Sequence, residues 1–273
     1  MTSPQVAPEI LSFYGEVYDE AARLVSGADG VLELVRTQEL LRRRLPGAPA
    51  AVLDVGGGPG THARWLVQDG YDVHLVDPVP RHVEQARVAG CTVELGDARR
   101  LTAADASYDV VLLLGPLYHL QDAGDRARAL AEAYRAVRPG GLVAAAAINR
   151  YAPLLHNAAT GNLARPGVQA AVDSSLTTGR HDGRHAFTRA YFHTPAELGA
   201  ELRHAGLTQV HVHGVEGPAW SQLKAVEQHS GPVTADSPLF AAALAAARAA
   251  DHHPALLAAT SHLLAVAHRP ADV

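Results

Sequence analysis

The stretch VLDVGGGPG, Val52 to Gly60, constrains this chain more than any other. An apolar run ends in an acid, and four glycines and a proline then fill five positions. Glycine accepts positive φ and lacks the β-carbon that would hold a ligand off the backbone, so the run predicts a strand turning sharply into a helix. The next residues, THARWLVQDG, place Ala63, Leu66 and Val67 at helical spacing and stop on a glycine. The rhythm then repeats. YDVHLVD reads as a buried strand, PRHVEQARVAG as a helix, CTVELGD as a third strand and YDVVLLLG as a fourth. DRARALAEAYRAVRPGG reads as an amphipathic helix closed by Pro-Gly-Gly, ahead of the strand LVAAAAI. Such alternation predicts an α/β fold, a doubly wound and mainly parallel sheet with crossover helices on both faces.

The rhythm changes toward the end of the chain. TPAELGAELRHAG carries Thr194 as N-cap, Pro195 at the first helical position and Glu197 to complete a capping box. LTQVHVHGV alternates with period two, FAAALAAARAA is helical, and ATSHLLAVAHRP reads as a final strand. Two parts lie outside the sheet: residues 1–48, read as an N-terminal helical lid, and the segment after the fifth strand. The main domain is then 49–273, with insertions at 149–192 and 215–254 on the ligand side.

Composition narrows the function classes. With 273 residues, 48% hydrophobic and 19% charged, the chain is long enough for one large domain. A net charge of -5 gives no general attraction to polyanions, and no basic, aromatic-interleaved surface is evident, so nucleic acid is not an expected partner. Cys91 is the single cysteine and has no internal partner for a disulfide. No apolar run reaches membrane-spanning length and MTSPQVAPEI lacks a basic and apolar leader, so the expectation is a cytoplasmic protein with no membrane partner. Lys224 is the only lysine, and the arginine and alanine bias reads as genome composition.

In doubly wound sheets ligands bind beyond the carboxyl ends of the strands, over the first strand-to-helix turn. Gly56, Gly58 and Gly60 are therefore read as a ligand cradle. GPGTHA also fits a dinucleotide fingerprint, with Asp77 as its ribose acid. The wider constellation resembles the class I S-adenosylmethionine-dependent methyltransferases: LDVGGGPG, LVDP, GDAR, YDVVLLLGPLYHL and VRPGG stand in that family's order across residues 50–148.

The resemblance implies a seven-stranded Rossmann-like sheet with its last strand antiparallel, and S-adenosylmethionine as cofactor. It implies that Asp77, followed by Pro78, takes the ribose hydroxyls, that Asp97 takes the adenine amine and Ala98 offers its backbone N–H. Asp54 orients the glycine loop or takes the cofactor's amino group, Gly56 contacts the amino-acid portion, and Leu114 and Gly115 lie where methyl donor and acceptor meet. LYHL places His119 as the first catalytic candidate. His193 in AYFHTP is the second, with Tyr191 beside it. Tyr14 and Tyr18, at helical spacing in FYGEVYDEAARL, are candidates for closing over the site; with Tyr118 and Tyr191 they form the expected substrate-binding set. No metal site is expected; His211 and His213 read as the solvated side of a strand. The function implied is methyl transfer to a small-molecule acceptor, in specialised metabolism, by a monomer or homodimer. The alternatives are a cyclase or cofactor binder of the same fold, and a nicotinamide-dependent oxidoreductase.

Overall fold

The computed structural model describes residues 6–183 and 187–272. The first five residues of the expected lid, residues 184–186 of the first insertion and the final residue lie outside the described residues.

Three short elements open the chain: α1 (Pro8–Ser12), a π-helical turn (Phe13–Val17) and α2 (Glu20–Arg23), followed by the long helix α3 (Ala28–Arg42). The alternating core is β1 (Ala51–Val55), α4 (Thr61–Gln68), β2 (Asp72–Asp77), α5 (Pro80–Ala86), β3 (Thr92–Leu95), β4 (Tyr108–Leu113), a 3-10 turn (Leu117–His119), α6 (Ala123–Ala136) and β5 (Val137–Ile148). The first insertion forms α7 (Ala152–Ala159), α8 (Val168–Thr178) and a small hairpin of β6 (Arg180–Asp182) with β7 (Arg189–Tyr191). Then come α9 (Pro195–His204), β8 (Thr208–Gly214), α10 (Trp220–Ser230), α11 (Pro238–Ala250) and β9 (His262–His268).

The large sheet has seven strands in the order β3-β2-β1-β4-β5-β9-β8. The first five are parallel, and β9 lies antiparallel between β5 and β8. The expected fold is therefore present, last strand included. Parallel strands covered on both faces must be apolar throughout, and Val110 to Leu113 are all fully buried. One face packs on α6 and α9 through Leu130 and Leu198, the other on α3 and α4 through Leu41 and Leu66. Each such leucine stabilises the fold by about 2 kcal/mol.

Two local readings change. Pro-Gly-Gly, expected as the turn ahead of the fifth strand, lies inside β5: Val137 already pairs with Tyr108, and the register slips before Val110 meets Leu142. A β-carbon at Gly141 would lie 2.8 Å from the Asp109 carbonyl oxygen, which is why the strands pass so closely there. His211 is exposed, but His213 is half-buried.

Helix α3 meets two helices from the far half of the chain. Leu32 of α3 packs with Trp220 and Leu223 of α10 and Phe240 of α11. Arg36, fully buried, extends this contact: its Nη2 donates to Asp251 Oδ2 at 2.7 Å, at the end of α11. A buried guanidinium is tolerated only when its charge is matched, so this pair fixes α3. That in turn sets where Glu33, one turn earlier, must point.

Candidate active site

The glycine loop leaves β1 and enters α4 under two constraints. Gly58 has φ +57°, and a β-carbon there would make only ordinary contacts, with Glu20 Cγ at 3.8 Å and His82 Nδ1 at 4.0 Å, so its bare face borders the cavity without being pressed on. Gly60 has φ +84° but faces inward, where a β-carbon would come within 3.2 Å of Ala86 and Ala89. Gly56 and Gly58 line the cavity above the loop and Gly60 does not. This corrects the expectation for Gly60, whose conformation serves the start of α4 and its packing on α5. Replacing Gly58 with valine is expected to abolish cofactor binding, by filling the cradle and straining a left-handed residue. Isothermal titration with S-adenosylhomocysteine checks this, and unchanged affinity would refute it.

The cavity, about 390 Å³, runs across the carboxyl ends of β1, β2 and β4. Asp77, Pro78, Asp97, Ala98, Leu114 and Gly115 all line it. Asp77, 4% exposed, is already a structural hub. Its Oδ2 accepts from the Gly58 N–H at 2.9 Å, and its Oδ1 from the Val79 N–H at 2.9 Å, with His82 Nδ1 3.1 Å away. Asp97 is bound up as well: Arg99 Nη2 donates to its Oδ2 at 2.6 Å, while Arg99 Nη1 reaches Asp125 at 3.0 Å.

Asp54 is different. It is fully buried at the end of β1, lines the cavity, and neither carboxylate oxygen has a hydrogen-bond partner among the described residues. Burial, reinforced by the charge of Asp77, pushes its pKa up to about 7. A buried carboxylate without a donor is costly, and a ligand ammonium would relieve that cost.

The N-terminal segment closes over the cavity. Ile10 and Tyr14 line it, and the Tyr14 hydroxyl lies 2.9 Å from His119 Nε2. Burial lowers the His119 pKa to about 4 and pushes Tyr14 well above its ordinary value. The pair is therefore neutral, and phenol and imidazole share one hydrogen bond. Tyr118 lines the cavity next to His119. Tyr18 instead stacks on Phe13 at 5.2 Å and is not part of the lining.

The structure does not bring His193 to this site. Its ring is fully buried and faces Glu201 Oε2 across 3.3 Å. Tyr191 is likewise enclosed, with Arg126 3.8 Å over its ring and its hydroxyl accepting from Arg150 at 3.0 Å. Both residues brace β7 and α9 against the sheet, and neither lines the cavity. The edge of the sheet was read correctly from AYFHTP, but the side chains turn into the protein.

Charged groups that no local motif announced complete the lining: Glu20, Arg23, Glu33, His62 and His262. His62 follows the glycine loop; burial holds it neutral, with a pKa of about 4. The rest come from α2, α3 and the first residue of β9, and meet only through the tertiary fold.

Comparison with known proteins is consistent with this geometry. Residues 52–141 match the family described as "Methyltransferase domain". A ubiquinone biosynthesis O-methyltransferase from Xylella fastidiosa is 30% identical over 189 residues, which are 67% of this chain and 70% of that protein. The chain belongs to the class I S-adenosylmethionine-dependent methyltransferases. An uncharacterized methyltransferase of Mycobacterium tuberculosis is 38% identical over 99 residues, a match spanning 36% of this chain and 39% of that relative. A Thermotoga maritima S-adenosylmethionine-dependent methyltransferase, described as a possible histamine N-methyltransferase, superposes with a TM-score of 0.60 at 19% identity, over 94% of this chain and 97% of that one. At that identity the likeness concerns the fold.

This methyltransferase uses S-adenosylmethionine, and the chain's own residues fit it: an orphaned carboxylate at Asp54, a bare glycine cradle at Gly58 and an acid at the end of β2. Among the described residues no helix is long and apolar enough to cross a membrane.

Proposed function

We propose that the enzyme methylates a small molecule, and that its acceptor is held between the N-terminal segment and the 3-10 turn carrying His119. One observation carries this reading: a single cavity connects Asp77 and Asp97, past Leu114 and Gly115, with Tyr14 and His119. The two insertions, which contribute Arg189 and Val215 to the lining, are read as shaping the ligand side for a medium-sized acceptor of specialised metabolism.

The cofactor supplies an electrophilic methyl on a sulfonium. Because transfer is an in-line displacement, the protein contributes mainly by fixing the approach and excluding water. Asp54 answers the ammonium, Asp77 the ribose, and Ala98 borders the adenine, where Asp97 must share its oxygens with Arg99. Gly115, where a β-carbon would come within 2.9 Å of the Gly56 carbonyl oxygen, lets the end of β4 pack directly on the glycine loop, where the transferred group would pass. Tyr14, reaching down to His119, closes the site from above.

Asp77→Ala is expected to weaken S-adenosylmethionine binding at least about tenfold, through the loss of charge-assisted hydrogen bonds. The same substitution frees the Gly58 and Val79 N–H groups, so the melting temperature should fall by several degrees, about 1 to 3 kcal/mol. Calorimetry and thermal unfolding check the two effects separately; normal affinity would remove Asp77 from the cofactor site. The reading as a whole is tested by incubating the protein with isotopically labelled S-adenosylmethionine and a small-molecule extract, where no labelled product means no transfer.

A further inference from the structure

Four of the charged side chains that line the cavity have no task in methyl transfer as described. Arg23 is held from two sides: its Nε donates to Glu20 Oε1 at 2.6 Å and its Nη1 to Glu33 Oε2 at 2.6 Å. His262 sits across from it, with Nδ1 in a short hydrogen bond to Glu216 Oε1 and 3.5 Å from Glu33 Oε2. Glu216, 1% exposed, also accepts from Thr260 Oγ1 at 2.9 Å and from the His262 N–H at 2.8 Å.

The charges of this nest do not cancel. Burial alone would strip His262 of its proton, but Glu33 and Glu216 outweigh it and hold the pKa at about 9. Burial also acts against an ionised Glu33, yet Arg23 and His262 keep its carboxyl below the ordinary value. Two cations thus face three carboxylates. Both oxygens of Glu216 are occupied, whereas Glu33 Oε1 and Glu20 Oε2 take no hydrogen bond among the described residues. Glu33, Glu216 and His262 could in principle share a metal ion, since their ligand atoms lie within 4.8 Å of one another. Arg23 already holds one Glu33 oxygen, and His262 directs a proton at Glu216. An organic cation on the free oxygens disturbs none of these bonds.

Two further observations point the same way. Along the rest of the cavity acidic residues outnumber arginines, and no lysine appears among the described lining residues. Only its far end is displaced from the cofactor's strands: His262 begins β9, which is separated from β1 by β4 and β5, about 14 Å at ordinary strand spacing, whereas Glu20 reaches back to the glycine loop, its Cγ 3.8 Å from where a β-carbon on Gly58 would lie. Tyr118, whose phenol burial keeps protonated, lines the same cavity within electrostatic reach of Arg23, Glu20 and Glu33.

We propose that the nest formed by Glu33, Glu20, Arg23 and His262 binds a cationic substituent of the methyl acceptor, an ammonium or guanidinium group. Glu33 and Glu20 receive the cation, and Arg23 and His262 fix those carboxylates in place. The inference rests on the methyltransferase reading, and its test separates the two. The intact protein is first titrated with S-adenosylhomocysteine; failure to bind would count against the methyltransferase reading itself. The saturated complex is then titrated with 2-phenylethylamine, 2-phenylethanol and phenylacetate, which differ chiefly in charge. The amine should bind at least about tenfold tighter than the alcohol, and the carboxylate most weakly. Glu33→Gln should erase that preference, and Glu20→Gln should reduce it, with the homocysteine titration reporting that each variant still folds. Equal binding of the three probes, no binding of the amine, tightest binding of the carboxylate, or an amine preference that survives Glu33→Gln would each overturn the proposal.

Discussion

Asp54→Asn raises the melting temperature of the ligand-free enzyme at about pH 8 while sharply weakening its hold on S-adenosylmethionine. The stability gain follows from burial. The folded pKa of Asp54 is about 7, against an ordinary value of 3.8. Between those values the folded chain binds a proton that the unfolded chain has lost, so stability declines as pH rises through the window and the deficit is complete above about pH 7. Keeping that carboxylate ionised costs about 4 kcal/mol, and the asparagine's own unmet hydrogen bonds return part of it. A net gain of about 2 kcal/mol corresponds to about 5 °C for a chain of this size. The advantage should vanish below about pH 4, where the wild-type carboxyl is protonated in both states. Binding moves the other way. Loss of a charged contact to the ammonium lowers affinity at least about tenfold, and wild-type affinity itself should fall as pH drops below about 7. Thermal unfolding from about pH 4 to 8, paired with calorimetry, decides the matter; an unchanged or lower melting temperature at the alkaline end would show that Asp54 is not the strained group described above.

His119→Ala should reduce turnover by about 10²-fold at saturating cofactor and leave the affinity for S-adenosylhomocysteine nearly unchanged. That figure is at the low end for a general base because burial holds His119 near a pKa of about 4, too weakly basic to pull hard on an acceptor proton. The sign is definite. The imidazole is neutral above that value, so the wild-type rate contributed by His119 should stay flat from about pH 5.5 to 8, without the limb near 6.5 that an ordinary histidine would give. Tyr14→Phe separates position from proton transfer: it removes the hydroxyl 2.9 Å from Nε2 but keeps the ring. A drop in turnover with Tyr14→Phe and an unshifted pH profile would identify closure of the N-terminal segment as the step affected. Full activity of His119→Ala on the true acceptor would leave the residue with packing alone.

The strands were legible because each is a local apolar run with glycine or proline at its margins, and a parallel sheet demands little more. The glycine loop and Asp77 were legible for a related reason, since the turn and its acid are close in sequence. Gly60 was misread because composition reports that a residue is bare without reporting which way the bare side faces. His193 and Tyr191 failed similarly: their segment does reach the correct edge of the sheet, but Glu201, one helix away, draws the imidazole inward. Glu33, Glu216 and His262 had no signature at all. Each looks like an ordinary polar residue at the start or flank of an element, and only the buried Arg36 contact and the antiparallel entry of β9 bring them together.

That antiparallel strand also sets the order in which the molecule can be completed. β9 comes last of the strands in sequence but lies inside the sheet, and β8 pairs with no other strand of it. A chain emerging from the ribosome can therefore assemble β1 to β5, but must carry β8 unattached until residues beyond Thr260 are released. His262 arrives in the same step, so the charged end of the cavity cannot form on a partly synthesised chain. Synthesis delivers the cofactor's half of the pocket first and its far wall only once β9 has emerged.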